Sequence, residues 1–220
     1  SVTPKFTASY HEDKFSYLIL EDLETKHFYS KTKIDDDEVS NCLKWLARFH
    51  MHYFNHSPLN LWECGTYWHL ETRPHEYKNI NVKKLKEYAK NVDQILKESK
   101  YQTIVHGDAK LANFLFSKDS VGALDFQYCG GGVGIKDVAY FLSSVYNEKE
   151  LFNKADEALK VYFLELKKHG ATLEHINEWR TLYPYAWFDF YRFLSGWSPD
   201  HYKINKYTLR MMNEVLNAFK

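Results

Sequence analysis

The sequence predicts an α+β protein, mainly helical, with a small central β region and one strand near its start. Two observations carry this. Apolar residues recur at helical spacing on both sides of the chain. Between Thr103 and Phe126 the texture changes to short β-type runs separated by polar loops.

Taken in order, a strand-like segment begins almost at once. The run Phe15 to Leu20, aromatic and aliphatic, has the character of a buried strand and ends in Glu21 and Asp22. The acidic cluster Asp35-Asp36-Asp37-Glu38 sits where a helix N-terminus favours negative charge, ahead of Val39, Cys42, Leu43, Leu46, Ala47 and His50 at helical spacing. Residues 57–77 show no clear period and are expected to form an irregular connection. A second helix places Val82, Leu85, Val92, Ile95 and Leu96 on one face. The β region follows as Thr103–Val105, Asn113–Phe116 and Val121–Leu124. Helical spacing resumes at Asp137, read as the cap of its helix, and persists to the end. Gly170 and Thr172 read as a helix stop and a helix cap, and Pro184 as a kink or break. Gly130-Gly131-Gly132 lacks a phosphate-loop pattern and reads as flexible loop backbone.

Composition excludes several classes. The 220 residues are 45% hydrophobic and 26% charged, an ordinary globular balance. Lys plus Arg equals Asp plus Glu at 29 each, and the only Lys-rich run, Lys83-Lys84-Leu85-Lys86, falls on a helix face, so no nucleic-acid partner is expected. Cys42, Cys64 and Cys129 lack CxxC spacing and read as free thiols. No apolar run approaches the roughly 20 residues of a membrane span. A cytoplasmic protein without a membrane partner is expected.

The informative stretch is Val105-His106-Gly107-Asp108-Ala109-Lys110-Leu111-Ala112-Asn113. An apolar strand ends in a loop bearing Asp108, and Asn113 opens the next strand. A further strand ends at Leu124, and Asp125-Phe126 follows. A hairpin whose ends carry Asn113 and Asp125 brings two hard oxygen donors to one edge, which suits Mg²⁺. Asp108, one loop away, is free to orient and deprotonate an attacking hydroxyl, and Lys110 is the local cation. Phosphoryl transfer needs this arrangement, because the protein's work there is positioning and charge neutralisation.

The ordered set His-Gly-Asp, Asn five residues after that Asp, and Leu-Asp-Phe after a short hairpin resembles the signature of the aminoglycoside phosphotransferase/choline kinase-like (CHK kinase-like) families, relatives of protein kinases. Leu18 to Leu23 is similar to the hinge strand that holds adenine through backbone groups, Leu46 to His50 to the first helix of the C-lobe, and Gly134 to Ala139 to the segment behind the active site. The likeness runs from Phe15 to about Tyr146. It implies a protein-kinase-like fold, mainly the helical C-lobe with only a remnant of the N-lobe sheet. Residues 1–23 would be the end of an N-lobe strand and the hinge, and residues 24–220 the C-lobe. It implies ATP and Mg²⁺ as cofactors, with Asp108 as catalytic base, Lys110 assisting at the phosphate, Asn113 and Asp125 as metal ligands, and Leu20, Glu21, Asp22 and Leu23 at the nucleotide. His106 would brace the loop.

The resemblance departs at the start of the chain. No phosphate-covering loop and no strand lysine paired with a helix glutamate precedes the hinge, and Ser1 is not Met, so a longer protein is expected. The acceptor would be a small-molecule hydroxyl: choline-like, an aminoglycoside or sugar, or another alcohol such as a steroid. Trp179, Tyr183, Tyr185, Trp187, Phe188, Asp189, Tyr191, Phe193 and Trp197 form either a pocket wall for it or helix core. The alternatives are a pseudokinase or binding module that keeps the fold, and a metal-dependent hydrolase using His106, Asp108 and Asp125.

Overall fold

The computed structural model describes residues 2–220. Among them the strands are β1 (Phe6–Glu12), β2 (Phe15–Leu20), β3 (Tyr29–Ser30), β4 (Thr103–Val105), β5 (Phe114–Phe116), β6 (Val121–Ala123) and β7 (Gly130–Gly132). The helices are α1 (Asp36–His52), α2 (Pro74–Asn79), α3 (Lys83–Lys97), α4 (Ile135–Val145), α5 (Glu148–Lys168), α6 (Leu173–Trp197) and α7 (Lys206–Ala218). The result is the expected α+β, helix-rich architecture. Its strands form three small antiparallel sheets: β1 with β2, β3-β5-β6, and β4 with β7.

Local chemistry explains where the helices start. Asp35 accepts from Glu38 N–H at 2.9 Å while the Glu38 carboxylate accepts from Asp35 N–H at 3.2 Å, a reciprocal capping box. Thr172 caps α6 by accepting from His175 N–H, and Gly170 takes φ +101° after α5, a conformation that favours glycine. Val39, Cys42, Leu43, Leu46, Ala47 and His50 are all buried on one face of α1, which packs on α5. Helix α6 is the central post, in contact with α2, α3, α4 and α7.

Four expectations are corrected. β2 is exposed along its whole length, with Phe15 at 66% and Leu18 at 64%. Its apolar residues give it β-propensity, but burial needs a second layer, and among the described residues only β1 pairs with it. Tyr10 and Tyr17 stack across that hairpin at 4.4 Å. The Gly130–Gly132 run is an ordered strand paired with β4, not a free loop. Gly130 and Gly131 are needed because the backbone of residues 62–65 passes so close that a Cβ at Gly130 would stand 2.3 Å from Trp62 O and one at Gly131 2.5 Å from Glu63 O. The connection at residues 57–77 contains two short helical segments, and Pro74 opens α2 at a position where no N–H is required. Of the kink or break expected at Pro184, the break is absent: α6 runs unbroken from Leu173 to Trp197, because packing on both sides holds a helix that propensity alone would interrupt.

Candidate active site

The chain reverses at Gly107, which takes φ +81°. A side chain there would also collide with Tyr128 O at 2.1 Å, so glycine is required twice over. Asp137 fixes this reversal. Its Oδ2 accepts from His106 N–H at 2.6 Å and its Oδ1 from Gly107 N–H at 3.0 Å. His50 Nε2 lies 3.0 Å from the same Oδ2, and His50 Nδ1 lies 2.8 Å from the Tyr162 hydroxyl. Burial favours a neutral Asp137, yet the hydrogen bonds from His50 and Gly107 hold its carboxyl below the ordinary range. The cap of α4 is Gly134, so Asp137, in the first turn, spends its oxygens on the loop and not on its own helix. Its expected role as a cap is corrected.

His106 is a brace. Asp108 N–H donates to its Nδ1 at 3.3 Å, leaving Nε2–H to donate to Leu124 O at 2.9 Å. That pattern fixes one neutral tautomer, and burial lowers the ring's pKa further from protonation. The ring also lies 4.5 Å from that of Phe126. One imidazole thereby ties the loop of Asp108 to the strand end that carries Asp125.

Asp108 is only 3% exposed. Its Oδ2 accepts from Lys110 Nζ at 2.8 Å and from Asn113 Nδ2 at 3.0 Å, and Asn113 Nδ2 also donates to Asp108 O at 2.8 Å. Its Oδ1 is buried with no hydrogen-bond partner among the described residues. A buried carboxylate oxygen without a hydrogen bond costs roughly 1–3 kcal/mol, and the Tyr140 hydroxyl, which interacts with the Asp108 carboxylate, offsets part of that.

The β5–β6 hairpin brings Asn113 and Asp125 to one end: they flank its two strands, and Leu124 N–H donates to Asn113 O at 2.9 Å. Asp125 is exposed and takes φ +62°, a left-handed conformation that Asp tolerates better than most residues. Of the segment Leu20 to Leu23, only Leu23 is shown in contact with this hairpin. Leu23 packs with Phe28 and Leu115, against which Leu124 rests, Glu21 pairs with Lys26, and Asp22 caps the turn that follows.

The aromatic residues singled out in α6 are mainly core, and Trp187 also lines a cavity of about 230 Å³. Trp179, Tyr183, Trp187, Phe188, Tyr191 and Phe193 are buried, and Tyr185 packs against the same core. Asp189 is engaged internally: Lys136 Nζ lies 3.1 Å from its Oδ2, Trp68 Nε1–H donates to that oxygen at 3.0 Å, and Arg192 pairs with its Oδ1. Burial opposes the charge, but Arg192 and Lys136 hold the carboxyl well below the usual range. Of the group only Trp197 is largely exposed, at 55%. The aromatic residues that do approach Asp108 are Tyr67 and Tyr140, with ring centroids 5.5 Å apart. Burial, with a contribution from Asp108, pushes the Tyr67 hydroxyl up to about 12. Spacing gave no signal for these two, because they come from an irregular connection and from the buried face of α4.

A cavity of about 490 Å³ lies elsewhere, lined by Cys64, His69, Asp93, Lys97 and Lys136 among others and by none of Asp108, Asn113 or Asp125. Cys129 has its thiol pushed up to about 12 by burial, which disfavours the reactive thiolate.

This fold is that of the protein-kinase-like small-molecule kinases. The microcompartment-associated aminopropanol kinase superposes with a TM-score of 0.59 at 13% identity, covering 96% of this chain and 72% of that one. Choline kinase LicA from Streptococcus pneumoniae superposes with a TM-score of 0.52 at 14% identity, covering 96% and 73%. Amicoumacin kinase hAmiN, solved in complex with AMP-PNP, Ca²⁺ and Ami, gives 0.54 at 14% identity over 90% and 62%. Residues 64–177 match the ecdysteroid kinase-like family, and the chain belongs to that family of small-molecule kinases. No curated protein sequence matches it significantly. No helix among the described residues is long and apolar enough to cross a membrane.

Proposed function

We propose that this chain transfers the γ-phosphate of ATP to a hydroxyl group of a small molecule, with Asp108 as the base. The observation that carries this is the unpartnered, buried Oδ1 of Asp108 beside a fully bonded Oδ2. An acceptor O–H would supply the missing donor. Its proton passes to Oδ1 as the acceptor oxygen bonds to the γ-phosphorus, the bond from that phosphorus to the bridging oxygen breaks, and ADP leaves.

Asn113 and Asp125 fit Mg²⁺. The Asn113 amide nitrogen is committed to Asp108, so its oxygen is the end left to coordinate, and Asp125 adds an exposed carboxylate. Among the described residues no three His, Cys, Asp or Glu side chains could hold a metal by themselves. That suits an ion which completes its shell with water and nucleotide phosphates. When bound, Mg²⁺ would neutralise charge on those phosphates. Lys110 is the cation nearest the base, and Leu20, Glu21, Asp22 and Leu23 are assigned to the nucleotide's base. Residues 1–23 then act as the hinge portion, and residues 24–220 as the portion that carries the base and metal ligands.

The test is ³¹P NMR of MgATP with choline, an aminoglycoside, a hexose and a hydroxylated steroid. A phosphorylated acceptor that appears with the native chain and not with Asp108→Asn is the expected result. Equal product from both chains would remove Asp108 as base.

A further inference from the structure

Arg73 immediately precedes α2 and is half-buried. Arg48, Arg192 and Arg210 each pair with a carboxylate, but Arg73 forms no ion pair among the described residues. Its Nε–H donates to Tyr67 O, and its guanidinium carbon lies 6.0 Å from the ring centres of both Tyr67 and Tyr128. One edge of the fork is thus fixed, while its two terminal nitrogens donate to no other group among the described residues.

Arg73 lines a cavity of about 260 Å³ with Trp62, Cys64, Thr66, Thr72 and Tyr128, and it is the one charged side chain of that lining. Burial pushes the Cys64 thiol up, so it adds no negative charge. The Thr66 hydroxyl oxygen is buried and has no hydrogen-bond partner among the described residues. Thr66 also takes φ +91°, an outlier for a β-branched residue, which persists only where the surroundings fix it. Those surroundings are the loop of Asp108. Thr66 N–H donates to Tyr128 O at 3.1 Å, and Tyr67 N–H donates to Gly107 O at 3.1 Å. A Cβ at Gly107 would stand 2.1 Å from Tyr128 O and 2.8 Å from Thr66 N. Two walls of the cavity are therefore held directly against the residue that precedes Asp108.

We infer that this cavity is an oxyanion-binding site, in which the Arg73 guanidinium and the Thr66 hydroxyl hold a carboxylate or phosphate group of a small molecule whose apolar part rests on Trp62 and Tyr128. A guanidinium offers an oxyanion paired N–H donors, and no carboxylate of the lining competes for them. A ligand presenting an ammonium there would meet like charge. The cavity adjoins the one of about 490 Å³, with which it shares Trp62, Cys64 and Thr72, so a larger body has room beyond the charged end. The site goes beyond the phosphotransfer reading and does not require it: the oxyanion belongs either to the acceptor or to a separate ligand of the same chemistry.

The test is calorimetry without nucleotide, using benzoate, its neutral isostere benzamide, and para-hydroxymethylbenzoate. Benzoate should bind the native chain about tenfold or more tighter than benzamide. Arg73→Met should abolish that preference, and Arg73→Lys, which keeps the charge without the fork, should retain part of it. Thermal melting checks both variants. Should Arg73→Met fail to fold for want of the bond to Tyr67 O, the comparison within the native chain decides by itself. Absent benzoate binding, equal binding of benzoate and benzamide, or an undiminished preference in a folded Arg73→Met would overturn the site and leave Asp108 as base. With MgATP added, ³¹P NMR separates the two sources: phosphorylated para-hydroxymethylbenzoate places the oxyanion on the acceptor, and binding without product assigns the site to a separate ligand. Oxyanion binding by a chain that phosphorylates no acceptor at all would count against the phosphotransfer reading and uphold the site.

Discussion

Asp108 and His175 are both buried polar side chains left short of partners, and the contrast between them separates chemistry from packing. Asp108 keeps one oxygen without a hydrogen bond beside two donors and near an aromatic pair, the feature on which its proposed role as base rests. His175 has both ring nitrogens buried without a hydrogen bond among the described residues, and it is stacked between Phe54 at 4.8 Å and Tyr101 at 4.7 Å. Burial lowers its pKa from 6.5 to about 4. The unfolded chain therefore binds a proton at His175 below about pH 6.5 that the folded chain refuses until about pH 4. Stability contributed by the neutral ring is present above the unfolded value and is lost as pH falls through that window, on the order of 3 kcal/mol in full. His175→Phe should shrink the drop in melting temperature between pH 7 and pH 4. A variant with the native chain's acid sensitivity would contradict this account.

Among the secondary-structure elements, those with a local cause were the ones readable from the chain alone. Helix α1 was marked at both levels, by the acids at its start and by the apolar spacing behind them, and its capping box matches. Asp35→Ala should cost about 1 kcal/mol, seen as a lower midpoint in urea unfolding with an unchanged slope. An unchanged midpoint would show the cap to be redundant with the packing of α1 on α5. The hairpin that brings Asn113 and Asp125 together was equally visible, since each strand runs into its polar residue within the same short stretch. Elements decided by distant partners were not. Burial of β2 needs a covering layer, the order of Gly130–Gly132 depends on β4, and the continuity of α6 through Pro184 depends on the helices around it. The same limit applies to the site. Asp108, Lys110, Asn113 and Asp125 share one stretch, whereas Tyr67 comes from an irregular connection with nothing in its own neighbourhood to mark it. Asp137 could be found, but its partners His50, His106 and Gly107 could not, because folding alone brings them to it.

The molecule as a whole is organised by two buried charge networks set on α4. Asp137, in its first turn, holds the loop at His106 and Gly107 to α1 through His50. Lys136, the preceding residue, joins Asp189 and Arg192 of α6, and Arg192 reaches on to Trp68 O at 2.8 Å. Neighbouring residues of one helix thus anchor the loop that carries Asp108 and the central post. Asp189→Ala strands two buried cations and should destabilise the fold by about 3–5 kcal/mol. It should also lower activity in proportion to the folded fraction, with no change in acceptor KM. Calorimetry with kinetics on the folded fraction checks it, and a selective rise in acceptor KM would instead place Asp189 at the substrate.

A single-turnover measurement tests directly whether the buried Oδ1 of Asp108 takes the acceptor's proton, as proposed above. The native chain and Asp108→Asn are mixed with radiolabelled ATP, Mg²⁺ and a confirmed acceptor, and product is quenched over time with nucleotide affinity measured in parallel. The expected result is nucleotide binding within a few-fold of native and a chemical step slowed by about 10²–10⁴-fold. A native rate of transfer from Asp108→Asn would contradict the assignment.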